Sequence, residues 1–575
     1  NLATISIESL RQLVCLKSLE LYGCPKLFSS DVPPELTCEY MSGANHSALP
    51  SLECLNIEDC GITGKWLSLM LQHAQALQEL SLEGCQQITG LSIGEEENSQ
   101  PNLMSAMEDP SLGYPDRDKL LRLPLNLISS LKRVSITCCD DLTFYGSKVD
   151  FAGFTSLEEL VISFCPKLLS FLAHNDGNDE QSNGRWFLPL SLGELKIRYV
   201  GSLKTLELCF PGNLTRLKKL EIWGNKSLTS LQLRSCTALQ ELRIHSFWSL
   251  NLLEGLELFG NLRILYAHRC LSGHGADGRF ILPQSLEELF ISEYSLETLQ
   301  PCFSGNLTHL KKLQVKGNSS LVSLQLHSCT SLQELIIESC KSINSLEGLQ
   351  SLGNLRLLRA FRCLSGYGEY GRCILPQSLE ELFISEYSLE TLQPCFSGNL
   401  THLKKLQVKG NSSLVSLQLH SCTSLQELII ESCKSINSLE GLQSLGNLRL
   451  LRAFRCLSGY GEYGRCILPQ SLEELFISEY SLETLQPCFQ MNLSCLKKIV
   501  VSSTSSLKSL QLQSSTALEH LRIKWCASLA TLEGLQFLHA LKHLEVFRCP
   551  GLPPYLGSLS GLGYELCLRL ERLDI

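Results

Sequence analysis

A block of 93 residues occurs twice in succession without a single change. It runs from Ile281 to Cys373 and again from Ile374 to Cys466. A third copy begins at Ile467, holds through Phe489 and diverges at Gln490 and Met491; a looser copy begins at Phe187. Self-similarity at a fixed period restricts the fold more than composition does. It means a stack of equivalent units, none of which can bury its apolar face alone.

Each block contains a shorter repeat. SLEELFISEYSL, HLKKLQVKGNSSL, SLQELIIESCKSI and NLRLLRAFRCL share the template L-x-x-L-x-L-x-x-N/C-x-x-L. Their first leucines are Leu286, Leu310, Leu332 and Leu355, and Leu379 restarts the cycle, so the spacings are 24, 22, 23 and 24. That is the leucine-rich repeat period, with one strand and one return segment per turn. The fold expected is an α/β leucine-rich repeat solenoid of horseshoe form. Its concave face is a parallel β-sheet; its convex face is mostly loop, 3-10 turn and short helix, because the spacing leaves no room for a full helix in every turn. The pattern counts 21 complete turns and one severed strand. At about 4.8 Å per strand the concave arc is roughly 100 Å long.

The whole chain reads as one continuous repeat domain in five stretches. Residues 1–186 carry irregular turns such as LKSLELYGCPKL, with insertions near 90–120 and 174–186. Residues 187–280 form a degenerate long block, 281–373 and 374–466 the identical blocks, and 467–575 the drifting final turns. The last residues, LERLDI, match the opening of a further turn. A solenoid end needs a polar cap over its last core layer. None is evident, so the chain reads as a fragment truncated at this end.

With 44% hydrophobic and 19% charged residues the chain can bury a core and is not disordered. A net charge of −9 gives no basic stripe for nucleic acid. No run of about 18 apolar residues is present to span a membrane, and no signal peptide is evident, although the chain begins at Asn1. The 27 cysteines include no C-x-x-C pair. Twelve stand at the N/C position: Cys24, Cys60, Cys85, Cys139, Cys165, Cys270, Cys340, Cys363, Cys433, Cys456, Cys526 and Cys549. They read as reduced structural thiols that point inward and bond the backbone, which favours a cytoplasmic setting, the nucleus included. Eight N-x-S/T sequons occur, among them Asn213, Asn306 and Asn492. Asn225, Asn318 and Asn411 occupy the inward ladder position, where a glycan has no room. The sequons are therefore read as accidents of a Ser- and Asn-rich repeat.

No catalytic constellation is found. The Gly64-Lys65 pair is followed by Trp66, which lacks the hydroxyl a phosphate loop needs. Thirteen histidines are scattered, and His309/His402 and His327/His420 are copies of one another. The expectation is a non-enzyme that binds no metal. What remains is surface. Strand residues alternate, so positions between and just after the leucines face the concave side. Phe290, Ile336, Leu357 and Phe361, with their copies Phe383, Ile429, Leu450 and Phe454 and with Phe476, are expected to be exposed apolar groups there. Trp223, Tyr266 and Phe547 fall at equivalent positions. The candidate ligand-binding residues are thus Trp223, Tyr266, Phe290, Ile336, Phe361, Phe383, Ile429, Phe454, Phe476 and Phe547. Apolar groups rimmed by charge mark protein interfaces. The alternative is that neighbouring Lys, Arg and Glu side chains cover them.

Turns of the type LKSLELYGCPKL, LEELVISFCPKL and LQELIIESCKSI resemble the C-terminal leucine-rich repeats of plant intracellular nucleotide-binding immune receptors. The 93-residue reiteration is similar to a grass subgroup typified by a rice bacterial-blight resistance protein. The resemblance implies repeats that sense a pathogen effector directly or through a host protein. It also implies that they help to hold a neighbouring nucleotide-binding domain inactive. ADP or ATP would belong to that domain, and no cofactor is expected in this chain. Two other readings stay open. One is the substrate-recognition arm of an F-box ubiquitin ligase, which an upstream F-box would reveal. The other is an extracellular receptor, which usually carries a G-x-I-P extension that is not found here. The identical blocks are read as recent duplication, because spacers and core were copied along with the surface.

Overall fold

Leucine, isoleucine and valine at the second and fourth places of a five-residue segment dictate the basic element. In an extended chain those two side chains share one face and the first, third and fifth share the other. The computed structural model bears this out turn after turn: Glu334–Glu338 buries Leu335 and Ile337 and leaves Glu334, Ile336 and Glu338 half-buried on the open side. The structure describes residues 13–25, 49–94, 116–145, 153–168, 188–199, 214–224, 233, 236–246, 256, 259–269, 282–292, 307–319, 321–343, 345–363, 375–385, 400–411, 414–436, 438–456, 468–479, 493–552 and 571–574. Phe187, Asn213, Asn225, Cys270, Asn306, Asn492, the 174–186 insertion and Ile575 lie outside them.

The chain divides into two units, Asn1–Leu286 and Glu287–Ile575. In the first, nine described strands run from Ser18–Tyr22 to Ile264–His268 and pair in parallel, each with the next. In the second, thirteen described strands run from Glu288–Ser292 to Arg572–Asp574 in the same manner. Together they make the 21 turns and one further strand counted in the sequence. Within each unit the register has no stagger: Glu288 faces Lys312, which faces Glu334, which faces Leu357.

The described corners that follow the strands are uniform. The residue following the strand takes a left-handed conformation, for example Ser339 at φ 56° and Arg362 at φ 51°. Its N–H then donates to the next turn, as Ser339 does to Phe361 O at 2.7 Å. This rotation drives the next side chain inward. Cys340 Sγ donates to Glu338 O at 3.4 Å and lies 3.8 Å from Val315 O of the preceding turn. Cys60, Cys165 and Cys456 repeat the arrangement. Where the ladder residue is asparagine, its side-chain oxygen accepts instead: Leu321 N–H donates to Asn318 Oδ1 and Leu414 N–H to Asn411 Oδ1, both at 2.7 Å. Both asparagines are fully buried, so these two sequons have no room for a glycan. The described cysteines are all free thiols. Burial pushes the Cys85 thiol up to about 12 and that of Cys340 up to about 11, so they are inert.

The return side holds 3-10 segments such as Leu349–Ser351. Among the described residues it has one α-helix, Gly64–Gln72. It adds something the spacing does not reveal. Short parallel strands pair there, Ser323–Gln325 with Ser345–Glu347 and their copies Ser416–Gln418 with Ser438–Glu440. The ends of the expected 90–120 insertion are also ordered: Gly90–Ile93 pairs in parallel with Leu120–Leu123 and with Thr143–Phe144. The Gly64-Lys65-Trp66 segment opens the helix. A side chain at Gly64 would sit inside the Leu120 backbone, so this glycine permits close packing, not phosphate binding.

Because the asparagine ladder satisfies a buried N–H, Asn411→Ala should cost about 1–3 kcal/mol. A urea midpoint that falls accordingly checks this; an unchanged midpoint would show that the Leu414 N–H does not depend on this side chain.

Candidate functional site: the open sheet face

Zero stagger turns the strand positions into straight rows. In the second unit the central row reads Phe290, Gln314, Ile336, Arg359, Phe383, Gln407, Ile429, Arg452, Phe476. The row of fifth positions reads Ser292, Lys316, Glu338, Phe361, Ser385, Lys409, Glu431, Phe454. All ten residues singled out from the sequence stand at outward strand positions, Trp223 and Tyr266 in the first unit and the other eight in the second. The eight do not form one patch, however. Phe290 and Phe383 are four strand steps apart, about 19 Å, and the same motif recurs at that interval.

Nor are they generally exposed, which corrects the expectation for the apolar groups. Phe290, Ile336, Leu357, Phe361, Ile429, Leu450, Phe454 and Phe476 are half-buried, as are Trp223 and Tyr266, and Phe383 is 9% exposed. Of the ten, Phe547 alone is exposed, at 44%. The cause lies on neighbouring strands. The Arg359 guanidinium lies 4.6 Å from the Phe383 ring centre and that of Arg452 4.5 Å from Phe476. Lys312, Lys405 and Lys498 reach over Phe290, Phe383 and Phe476 from the other side. Each such contact contributes roughly 0.5–1 kcal/mol at an exposed site, and the alkyl stems cover the rings. Cross-strand ion pairs complete the cover: Lys312–Glu334 at 2.9 Å, Lys316–Glu338 at 3.2 Å, and their copies Lys405–Glu427 and Lys409–Glu431 at 2.9 and 3.1 Å.

The first unit carries a different chemistry. Trp223 packs on His245 with ring centres 4.2 Å apart, under the Arg198 guanidinium at 5.3 Å. Arg243 lies 4.2 Å from the Tyr266 ring. Lys196 bridges Glu159 and Glu194 at 2.9 and 2.8 Å. Burial, with the nearby His268, Arg243 and Arg198 charges, lowers His245 to about 4; its Nε2 and the Trp223 Nε1 are buried without a hydrogen-bond partner.

Three large residues escaped the strand-based reading. Phe164, Tyr199 and Trp525 sit on the left-handed corners, at φ 53°, 50° and 57°. Phe164 and Tyr199 stack with ring centres 4.3 Å apart and planes within 16°. Their signal was available: each occupies the place just before the ladder residue, as in the pairs Phe164-Cys165 and Trp525-Cys526. Among the described residues no group of three or more His, Cys, Asp or Glu is placed to hold a metal ion, and no helix is long and apolar enough to cross a membrane.

Two predictions follow from the geometry. Phe383→Ala should cost roughly 1.5–3 kcal/mol, the worth of burying a phenylalanine, whereas Phe547→Ala should cost less. Chemical denaturation of the two variants decides this. For His245, the folded value of about 4 lies below the ordinary 6.5. Its neutral form therefore stabilises the first unit fully above pH 6.5, and that stability is lost as pH falls toward 4. The melting temperature should drop less between pH 7 and pH 5 in His245→Phe than in the parent; equal drops would show that His245 does not carry the effect.

No protein-family model matches the chain. It is similar to the Arabidopsis thaliana Disease resistance protein RPS4B, 26% identical over 287 residues, which is 40% of this chain and 24% of that protein. It is also similar to a probable disease resistance protein of Arabidopsis thaliana, 25% identical over 213 residues, 36% of this chain and 15% of that protein. The chain thus spans about a quarter or less of these relatives' lengths. Among solved structures it is similar to a leucine-rich repeat protein of Leptospira interrogans, at 17% identity and a TM-score of 0.45 over 78% of this chain and 97% of that one.

Proposed function

We propose that this chain is the ligand-recognition region of an intracellular plant immune receptor, cytoplasmic with access to the nucleus. In this reading the open sheet face senses a pathogen effector, directly or through a host protein. The repeats also help to hold the parent protein's nucleotide-binding domain inactive, and ADP or ATP binds that domain alone. The reiterated blocks favour the grass subgroup typified by the rice bacterial-blight resistance protein. No catalytic role is assigned to any residue.

The observation that carries the reading is the open face itself. In each unit the inward strand positions stay apolar while the outward ones change from turn to turn, from Lys219, Glu221 and Trp223 to Glu241, Arg243 and His245. A stacked frame that is uniform inside and varied outside presents a long surface to another protein. The partial similarity to two disease resistance proteins supports placing that surface in immunity.

The test is a cell-death assay in leaves with the full-length parent protein and its matching pathogen strain. Trp223→Ala and Arg359→Ala on the open face should abolish or strongly reduce the response. Val322→Ala and Val415→Ala, at exposed positions outside the strands, should leave it intact. Open-face variants that accumulate normally and still respond in full would overturn the assignment. Stable co-purification with a ubiquitin-ligase adaptor, without any immune response, would move the same surface to a degradation substrate.

A further inference from the structure

Charges on the repeated blocks cancel. Across one block the open face carries three cations, Lys312, Lys316 and Arg359, among three carboxylates, Glu288, Glu334 and Glu338. The strand ends of the first unit are not balanced in this way. Glu58 ends one strand and Glu83 the next. Asp59 stands on the corner between them and Asp140 just beyond the following strand. None of these four carboxylates has an ion pair or hydrogen-bond partner among the described residues. Three of them act on one point: Glu83, Asp140 and Asp59 all add to the burial that raises the Cys138 thiol. Two cations of the following turns are engaged elsewhere, Lys167 with Asp141 at 2.6 Å and Arg198 with Glu221 at 2.8 Å.

The same edge then turns aromatic. Phe164 and Tyr199, each 44% exposed, stack on the next two corners. The corner does not require rings, since Gly317, Ser339 and Arg362 fill it in other turns. The Tyr199 ring continues along the line onto Gly224, where an added Cβ would come within 2.8 Å of Tyr199 Cδ1. Glycine at φ 72° there leaves the ring its place. From Asp59 to Tyr199 is four strand steps, about 19 Å, the reach of about six extended residues.

We infer that this edge of the first unit docks an extended basic segment of a partner protein. Lysine or arginine side chains of that segment pair with Asp59, Glu83 and Asp140. An arginine lies flat on the exposed face of the Phe164–Tyr199 stack, where guanidinium stacking and ring quadrupole both favour it. The inference deepens the recognition reading above by giving the partner's chemistry, and it rests on that reading. It also shifts attention from the covered phenylalanines of the repeated blocks to the corners of the first unit.

The experiment uses the whole chain and fluorescence anisotropy with a labelled peptide of alternating arginine and leucine, against a glutamate–leucine peptide of equal length. The arginine peptide should bind, more weakly as salt rises, and the glutamate peptide should not. Glu83→Lys combined with Asp140→Lys should weaken binding about tenfold or more. Phe164→Ser, which installs the residue found at the Ser339 corner, should weaken it severalfold. Glu347→Gln on the return side of the repeated block should have no effect. Thermal melts confirm folding, and Asp140→Asn replaces the double variant if that melts early. Failure of the arginine peptide to bind, equal binding of both peptides, or full affinity in the folded variants would overturn the inference. No immune component is present in this assay, so its failure leaves the receptor reading standing, and failure of the leaf assay leaves this result standing.

Discussion

The hydrogen bonding at the corner behind each strand is the constraint on which the rest depends. A left-handed residue turns the chain, and the next side chain goes inward to hydrogen-bond backbone groups of its own and neighbouring turns. Cysteine does this by donating to carbonyls, as Cys456 does to Phe454 O and Ile430 O at 3.1 and 3.2 Å. Asparagine does it by accepting, as Asn411 does from Leu414 N–H. An unpaired buried N–H such as that of Leu414 would cost about 1–3 kcal/mol, and the left-handed residue recurs at every described corner. The ladder therefore sets the pitch of each turn, and the pitch sets the register of the strands.

Register in turn decides the surface. With no stagger, residues at equal places in successive turns become lateral neighbours at about 4.8 Å. Duplication of a block then copies surface pairs as faithfully as core pairs. Lys312–Glu334 reappears as Lys405–Glu427, and Arg359 over Phe383 as Arg452 over Phe476. A face built in this way screens its own aromatic groups. Individually such surface pairs stabilise little, but as a continuous cover they leave the repeated blocks less adhesive than their phenylalanines imply. The first unit, whose turns differ from one another, keeps unbalanced carboxylates and open rings at its corners. For a recognition scaffold, that division makes the irregular turns the more informative part of the surface.

Similarity to disease resistance proteins covers only part of this chain and a smaller part of those relatives. A varied outer face on an apolar frame suits contact with another protein. Burial raises the Cys85 and Cys340 thiols, and His245 is held neutral by burial and nearby positive charge.

The sequence by itself determined the period, the strand in each turn, the inward ladder of Cys and Asn, and which strand positions face outward. These depend on spacing within one turn, where a leucine two residues from another must share its side of a strand. It also located the ten candidate residues on the correct face. Tertiary structure decided how much of each is exposed. Phe383 is covered by Arg359, Lys405 and the neighbouring strands, residues 22 to 24 positions away in sequence, and that cover exists only because the turns stack in register. The return-side strands and the Phe164–Tyr199 stack have the same origin. Each is a contact between turns, whose partners are chosen by the stacking and not by the local pattern.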